Sequence, residues 1–171
     1  KGDVGLSKFS LTLATTTATV TGTNIYAFTD TAYSTPVSGL RSDGAMLATD
    51  QAGSAWVSSA TVLEYYARTA AAASTTIQVP AGQTRYFEVR GSVSGATSGA
   101  SIITSIQGDA AYPSLATTWM TTAALVDADT NDDFIWSPNS TSQSAVIDSD
   151  WTNGFGVSGL PSSTLTNTRG Q

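Results

Sequence analysis

The residues best spaced for chemistry form an Asp-rich segment late in the chain. Asp127, Asp129, Asn131 and Asp133 alternate with other residues in the stretch DADTNDD. Calcium takes about six to eight oxygen ligands at roughly 2.3–2.6 Å, and alternating carboxylate and amide oxygens in a polar loop supply such ligands. We therefore predict a calcium site at these four residues, with Ca²⁺ as the only cofactor.

The same segment has an ordinary alternative. Its start matches the D-x-D-x-N of an EF-hand, but Asp132 stands where that loop needs Gly and Pro138 where it needs Glu. Asp148 and Asp150 lie close enough in sequence to add distal ligands. Because Asp also favours turns and solvated loops, a plain acidic turn explains the cluster without a metal.

Catalytic chemistry finds little support in the composition. The chain has no His and no Cys, which excludes a Ser-His-Asp triad, a Cys nucleophile and the usual zinc and haem sites. Neighbouring carboxylates such as Asp132 and Asp133 could act in a glycosidase, but nothing around them indicates a raised pKa. Residues 154–159 fit G-x-G-x-x-G, yet a nearby proline and the lack of a βαβ unit favour a simple loop. We expect no enzymatic activity.

Three aromatic residues in the tail are candidates for ligand binding. If Trp136, Trp151 and Phe155 are exposed, they can stack on sugar rings, as in carbohydrate-binding modules. If they are buried, they belong to the core, where Trp and Phe generally lie. Asn139 begins the chain's one Asn-x-Ser/Thr sequon and is a candidate glycosylation site.

Composition and charge limit the number of domains, the classes of partner and the cellular location. The 171 residues suit one domain, with 40% hydrophobic but only 12% charged residues and a net charge of −6. An acidic balance does not suit nucleic acid, and no apolar run is long enough for a membrane-spanning helix. Without Cys, stability comes from a core rather than from disulfides. Low charge with abundant Thr, Ser, Ala and Gly is common in secreted surface and fibre proteins, so we expect an extracellular, cell-surface location.

The elements that position these residues are predicted to be strands. Apolar and polar residues alternate, and Gly, Pro and Ser separate the alternating segments. This pattern predicts an all-β, immunoglobulin-like antiparallel β-sandwich over residues 1–126. Residues 127–171 are predicted to form a loop-rich, irregular C-terminal extension packed on the same domain. The predicted strands cover residues 9–13, 18–29 with a bulge at Gly22, 61–68, 76–93 with a corner at 80–82, and 101–107; residues 110–126 fit a helix or a strand.

The first alternating segment also suggests self-association. Residues 4–13, with Val4, Leu6, Phe9, Leu11 and Leu13, lie near the terminus and carry little charge. Such a strand can complete the sheet of another subunit, with main-chain hydrogen bonds providing affinity. The alternative is an ordinary first strand of its own domain.

Several segments of this chain match a known pattern. Residues 131–139 (NDDFIWSPN), 150–154 (DWTNG) and 159–161 (GLP), together with TNIYAFTD and IQVPAGQTRYFEVRGSV, resemble the C-terminal region of large predicted surface proteins from uncultivated ultra-small bacteria. The resemblance implies a secreted, cell-surface, β-rich module without catalytic residues. It also implies that Lys1 begins a fragment or a processing product of a longer chain.

These observations predict a structural role. We expect a self-assembling subunit or domain of a surface layer or of a pilus-like extracellular filament, whose partners are copies of itself. The first alternative is an adhesin or carbohydrate-binding module that contacts surface glycans through exposed aromatic rings. The second alternative is a glycosidase fragment, which would require two carboxylates facing each other across a cleft.

Overall fold

All regular structure in the described part of the chain is β-strand. The computed structural model describes residues 2–48, 61–70, 73–112, 131–139, 150–160 and 165–170. Within these ranges every strand pairing is antiparallel, and no helix is long and apolar enough to cross a membrane. The all-β prediction is confirmed. The strands are β1 (Val4–Thr16), β2 (Thr19–Phe28), β3 (Leu47–Ala48), β4 (Thr61–Tyr66), β5 (Arg68–Ala70), β6 (Ala73–Ser74), β7 (Ile77–Val79), β8 (Tyr86–Ser94), β9 (Ser101–Ile106), β10 (Phe134–Ser137), β11 (Thr152–Asn153) and β12 (Leu165–Gly170).

Strand β1 is the centre of an eight-stranded sheet. Along one edge it pairs first with β7 and then with β4. Along the other edge it pairs first with β10 and then with β9. The segment predicted as an assembly strand, residues 4–13, is therefore an interior strand whose two edges are paired within its own chain.

A second sheet consists of β2 and β8. Their register runs from Thr19 opposite Ser94 to Phe28 opposite Tyr86, and it shifts between Thr21 and Asn24. The shift contains Gly22, whose φ of +62° is a conformation that glycine adopts readily. The structure thus places an irregularity where the sequence predicts a bulge.

The hydrophobic core brings residues of the two sheets together. Phe9 of β1 packs on Phe87 of β8, with ring centroids 4.9 Å apart, and on Phe134 of β10, with centroids 5.1 Å apart. Burying large aromatic rings in this way is a major source of stability. The buried core cluster consists of Phe9, Leu11, Leu13, Val20, Ile25, Ala27, Val37, Met46, Tyr65, Ala67 and Ile77.

The C-terminal part of the chain is less irregular than the sequence predicts. Strand β10 pairs directly with β1, β11 pairs with β10, and β12 pairs with β9. The described parts of residues 127–171 therefore supply three strands to the main sheet. Of the segment 110–126, the structure describes only 110–112, so its prediction lies largely outside the described residues.

Candidate functional site

Both faces of β1 are buried, although its sequence alternates. Phe9, Leu11 and Leu13 belong to the hydrophobic core, and alternation sends Lys8 and Ser10 to the opposite face. Lys8 is nevertheless only 2% exposed and Ser10 is fully buried. A buried lysine is rare unless its charge is matched by nearby groups, so its partners define a candidate site.

Lys8 contacts two carboxyl groups. Its Nζ forms one ion pair with Oε1 of Glu64 and another, 2.9 Å long, with Oδ1 of Asp132. Glu64 lies on β4 opposite Ser10, and Tyr66 lies opposite Lys8 with its ring centroid 5.6 Å from Nζ. The site therefore combines one amine, two acids and a phenol in a largely buried region.

Burial and the neighbouring charges shift the pKa values of this site in opposite directions. Burial alone would lower the pKa of Lys8, but Tyr66, Glu64 and Asp132 outweigh that effect and raise it above its ordinary value. Burial raises the pKa of the Tyr66 hydroxyl, and the positive charge of Lys8 opposes the change only in part. The charged form of Lys8 is therefore stabilised chiefly by its own partners.

A second polar cluster lies beside the first and organises three loops. Asp109 is fully buried. Its Oδ1 accepts a hydrogen bond from the backbone N of Asp133 (2.9 Å), and its Oδ2 accepts one from the backbone N of Gly154 (2.8 Å). One carboxylate therefore links the segments that precede β10 and follow β11 to the segment that follows β9.

The side chain of Asn153 connects the same loops, but as a hydrogen-bond donor, whereas Asp109 is an acceptor. It is 1% exposed, and its Nδ2 donates to the backbone O of Ala111 and of Asn131, both at 2.7 Å. Trp136 Nε1 donates to the backbone O of Asn153 at 2.8 Å. Hydrogen bonds thus join the segment NDDFIWSPN to the segment DWTNG. Several polar residues of these two segments therefore have a structural role.

The described candidate calcium ligands are used within the fold. Oδ1 of Asn131 accepts hydrogen bonds from the backbone N of Ala110 (3.2 Å) and of Ala111 (3.0 Å). Burial, together with the charges of Asp109 and Asp132, raises the pKa of Asp133 to about 6, against the opposing effects of Ser10 and Lys8.

The other two candidate ligands, Asp127 and Asp129, lie outside the described residues. Within the described ranges, no three acidic side chains are grouped as a metal site requires. Calcium binding therefore stays a prediction from the sequence.

The three tail aromatics are all half-buried, and a fourth ring is more exposed. Trp136 is held by the hydrogen bond to Asn153, and a methyl group placed on Gly5 would contact the ring of Trp151. Phe155 packs edge-on against Tyr112 with centroids 4.8 Å apart, and Tyr112 is 68% exposed. Sequence reasoning missed Tyr112, because an isolated Tyr before Pro carries no signal of exposure.

Asn139 is half-buried in a structured position. Its Nδ2, the atom that would carry a glycan, donates to Oε1 of Gln78 at 2.9 Å. Its backbone N donates to the hydroxyl of Ser137, and its φ is +48°. A glycan at this residue would have to replace the contact with Gln78.

Strand β8 carries exposed apolar side chains. Alternation places Phe87, Val89 and Val93 on one face, and Phe87 does reach the core. Val89 and Val93 are instead 42% and 51% exposed. Among the described strands β8 pairs only with β2, so its other edge carries no paired strand within the described residues, and the two valines lie on the face of the sheet beside that edge.

No protein family, curated protein or solved structure matches this chain in sequence or fold.

Proposed function

We propose that the chain is an extracellular structural protein, a self-assembling subunit or domain of a surface layer or filament, and that copies associate by pairing strands at the edge of β8. The observation that carries this proposal is the open, valine-bearing edge of that strand. Native proteins generally blunt or cover such edges because the unpaired backbone groups bind other strands. A strand of a second chain that pairs there would satisfy the backbone groups of the edge, and its own side chains would pack beside the two valines on the face of the sheet.

The opposite face of β8 carries polar side chains. Arg90 and Glu88 form an ion pair with a distance of 2.6 Å, and the Arg90 guanidinium lies 4.6 Å from the centroid of the Tyr26 ring. This face therefore has its own partners within the chain. The contrast between the two faces supports the edge of β8, with Val89 and Val93, as the contact surface.

The finer architecture is part of the proposal. We propose that the two sheets form an immunoglobulin-like sandwich joined through Phe9 and Phe87, in which the smaller sheet leaves room for a strand beside β8. Strand β12, like β3, β7 and β11, has one paired strand among those described, and it is the longest of these four. Joining the β8 edge of one copy to the β12 edge of the next is a heterologous contact, which builds an open filament when the rotation does not close.

This version of strand addition differs from the one expected for residues 4–13. Donation of β1 to a neighbour would first break its pairing with β4, β7, β9 and β10. Pairing at β8 breaks no described strand pairing. The edge of β8 is therefore the less costly route to the same assembly, and calcium at residues 127–133 would add stiffness without being required for the contact.

The test is assembly of the purified chain with a charged edge. We expect filaments or sheets in negative-stain electron microscopy for the original sequence, and monomers in sedimentation velocity for the double variant V89K/V93K. The control is Tyr112→Lys, which adds a lysine at a 68% exposed aromatic residue that lies outside the strands and packs against Phe155. This control should assemble normally, and circular dichroism should show that both variants are folded.

Two outcomes would contradict the proposal. Assembly of the double variant at the original rate would show that β8 is not the contact. Monodisperse particles of the original chain, with and without EDTA, would favour the glycan-binding alternative. That alternative is supported by the exposed ring of Tyr112 against Phe155, and its test is a glycan array.

A further inference from the structure

We propose that Lys8 and Asp132 condense into an intramolecular amide bond, with Glu64 as the proton relay, and so crosslink β1 to the segment before β10. This modification site is independent of the proposed assembly. It rests on the placement of three side chains that share one largely buried site. No other described lysine or arginine is buried with two carboxyl groups in contact.

The first condition for such a bond is proximity in a fixed geometry. Nζ of Lys8 lies 2.9 Å from Oδ1 of Asp132 and also contacts Oε1 of Glu64. The side chains are 2%, 14% and 8% exposed, respectively. Holding an amine against a carboxyl group raises its effective concentration by many orders of magnitude, which compensates for the low intrinsic reactivity of a carboxylic acid.

The second condition is an environment that favours a neutral product. In water, an ammonium and a carboxylate are strongly solvated and the amide is not favoured. Removing both charges from water is costly, and only their mutual attraction and their hydrogen bonds offset that cost. Condensation replaces this buried ion pair with an uncharged amide, so burial favours the product over the reactants.

The step balances without any external reagent. Glu64 takes a proton from the Lys8 ammonium, and the free electron pair on Nζ attacks Cγ of Asp132 to form the carbon–nitrogen bond. Glu64 returns that proton to a departing Asp132 oxygen and relays a second proton from Nζ to the same oxygen. The carbon–oxygen bond breaks, water leaves, and no oxidant or reductant takes part.

The placement of the two acids assigns their roles. Glu64 belongs to β4, where its register opposite Ser10 is fixed by strand pairing, and its Oε1 contacts Nζ. A rigidly held base beside the amine suits proton relay. Asp132 lies in the segment before β10 rather than in a strand, so its carboxyl carbon can approach Nζ with a smaller disturbance of the sheet.

The first test is the intact mass of the full folded chain. We expect a mass about 18 Da below that of the sequence, because one water is lost. Trypsin would then leave residues 2–41 joined to residues 91–169, since a modified Lys8 is no longer cleaved and no Lys or Arg lies between Arg90 and Arg169. Tandem mass spectrometry of the joined peptides should place the link at Lys8 and Asp132.

Three variants separate the roles. Asp132→Ala should show the unmodified mass, and Glu64→Gln, which retains both reacting groups, should form the link at least about tenfold more slowly. The matched control Asp133→Asn changes the neighbouring carboxyl and should still lose one water. A full, unmodified mass of the original folded chain after prolonged incubation would overturn the proposal, and a link found at Glu64 would overturn the assigned roles.

Discussion

At the scale of single residues, Asp133 shows how burial controls a carboxyl group. Its pKa is raised to about 6 from an ordinary value of 3.8, chiefly by burial. The folded state therefore holds a proton more tightly than the unfolded state. Above about pH 6 the carboxyl is ionised in both states and the fold bears a penalty, which disappears as the pH falls from about 6 towards 4.

Asp133→Asn should remove this penalty. We expect the variant to be more stable than the original chain by about 1 kcal/mol at pH 8, after allowance for the partial exposure of the group. The two chains should have equal stability near pH 4, because the protonated Asp and the Asn are then both neutral. Urea unfolding at both pH values measures the difference.

A control of opposite sign is Asp30→Asn. Slight burial would raise the pKa of Asp30, but hydrogen bonds from Thr35 and Ser34 outweigh it and lower the pKa. The ionised form of Asp30 therefore stabilises the fold, and its replacement should destabilise the chain at neutral pH. A loss of stability in both variants would show that Asp133 acts through its hydrogen bonds and not through its charge.

At the scale of elements, the short strands β10 and β11 depend on the buried amide of Asn153. Asn153→Ala would leave the backbone oxygens of Ala111 and Asn131 without their 2.7 Å donors. An unsatisfied buried polar group costs about 1–3 kcal/mol, so we expect a loss of about 2–4 kcal/mol in the free energy of unfolding. Hydrogen exchange should increase first around residues 109–111 and 131–133.

Two further variants define the cause. Asn153→Asp has nearly the same shape but turns an oxygen towards the two carbonyls, so it should destabilise the chain at least as much as the alanine variant at neutral pH. Asn24→Ala removes a half-buried side chain whose one hydrogen bond within the described residues is accepted from the adjacent Ile25 N, and it should cost about 1 kcal/mol or less. Equal losses in the Asn153 and Asn24 variants would contradict the central role of Asn153.

The elements also show what a sequence can and cannot predict here. Alternation of Phe9, Leu11 and Leu13 predicts a strand and its core face, because the period of a strand is a local property. Lys8 lies on the opposite face of the same strand, and it is buried with Glu64 and Asp132. Those partners are distant in sequence, and no local pattern encodes which segment covers the second face of a strand.

The Asp-rich segment illustrates the same limit. Its spacing fits metal ligands, yet Asn131 accepts two backbone hydrogen bonds and Asp133 is half-buried beside Asp109. A turn-capping Asn and a ligating Asn have the same sequence signature, since both need an exposed amide oxygen in a loop. The contacts of Asn131 and Asp133 with residues 109–111 depend on long-range pairing, which the local sequence does not encode.

At the scale of the whole molecule, the net charge opposes the association of copies that the edge of β8 favours. Each copy carries a net charge of −6, so approaching copies repel. The surface that we propose for contact presents the uncharged Val89 and Val93 together with unpaired backbone. Association through β8 therefore gains nothing from charge attraction and is opposed by long-range repulsion.

Salt should consequently promote assembly. The screening length shortens from about 30 Å at 0.01 M to about 8 Å at 0.15 M salt, which removes most repulsion between copies, whereas strand pairing and burial of valines are little affected. We expect light scattering to show faster growth of assemblies at the higher salt concentration, by about tenfold or more. The variant V89K/V93K reduces the net negative charge, so repulsion alone would make it assemble faster; if the edge of β8 is the contact, it remains monomeric at both salt concentrations. Slower assembly of the original chain at high salt would instead indicate complementary charged patches, and it would exclude the edge of β8 as the dominant contact.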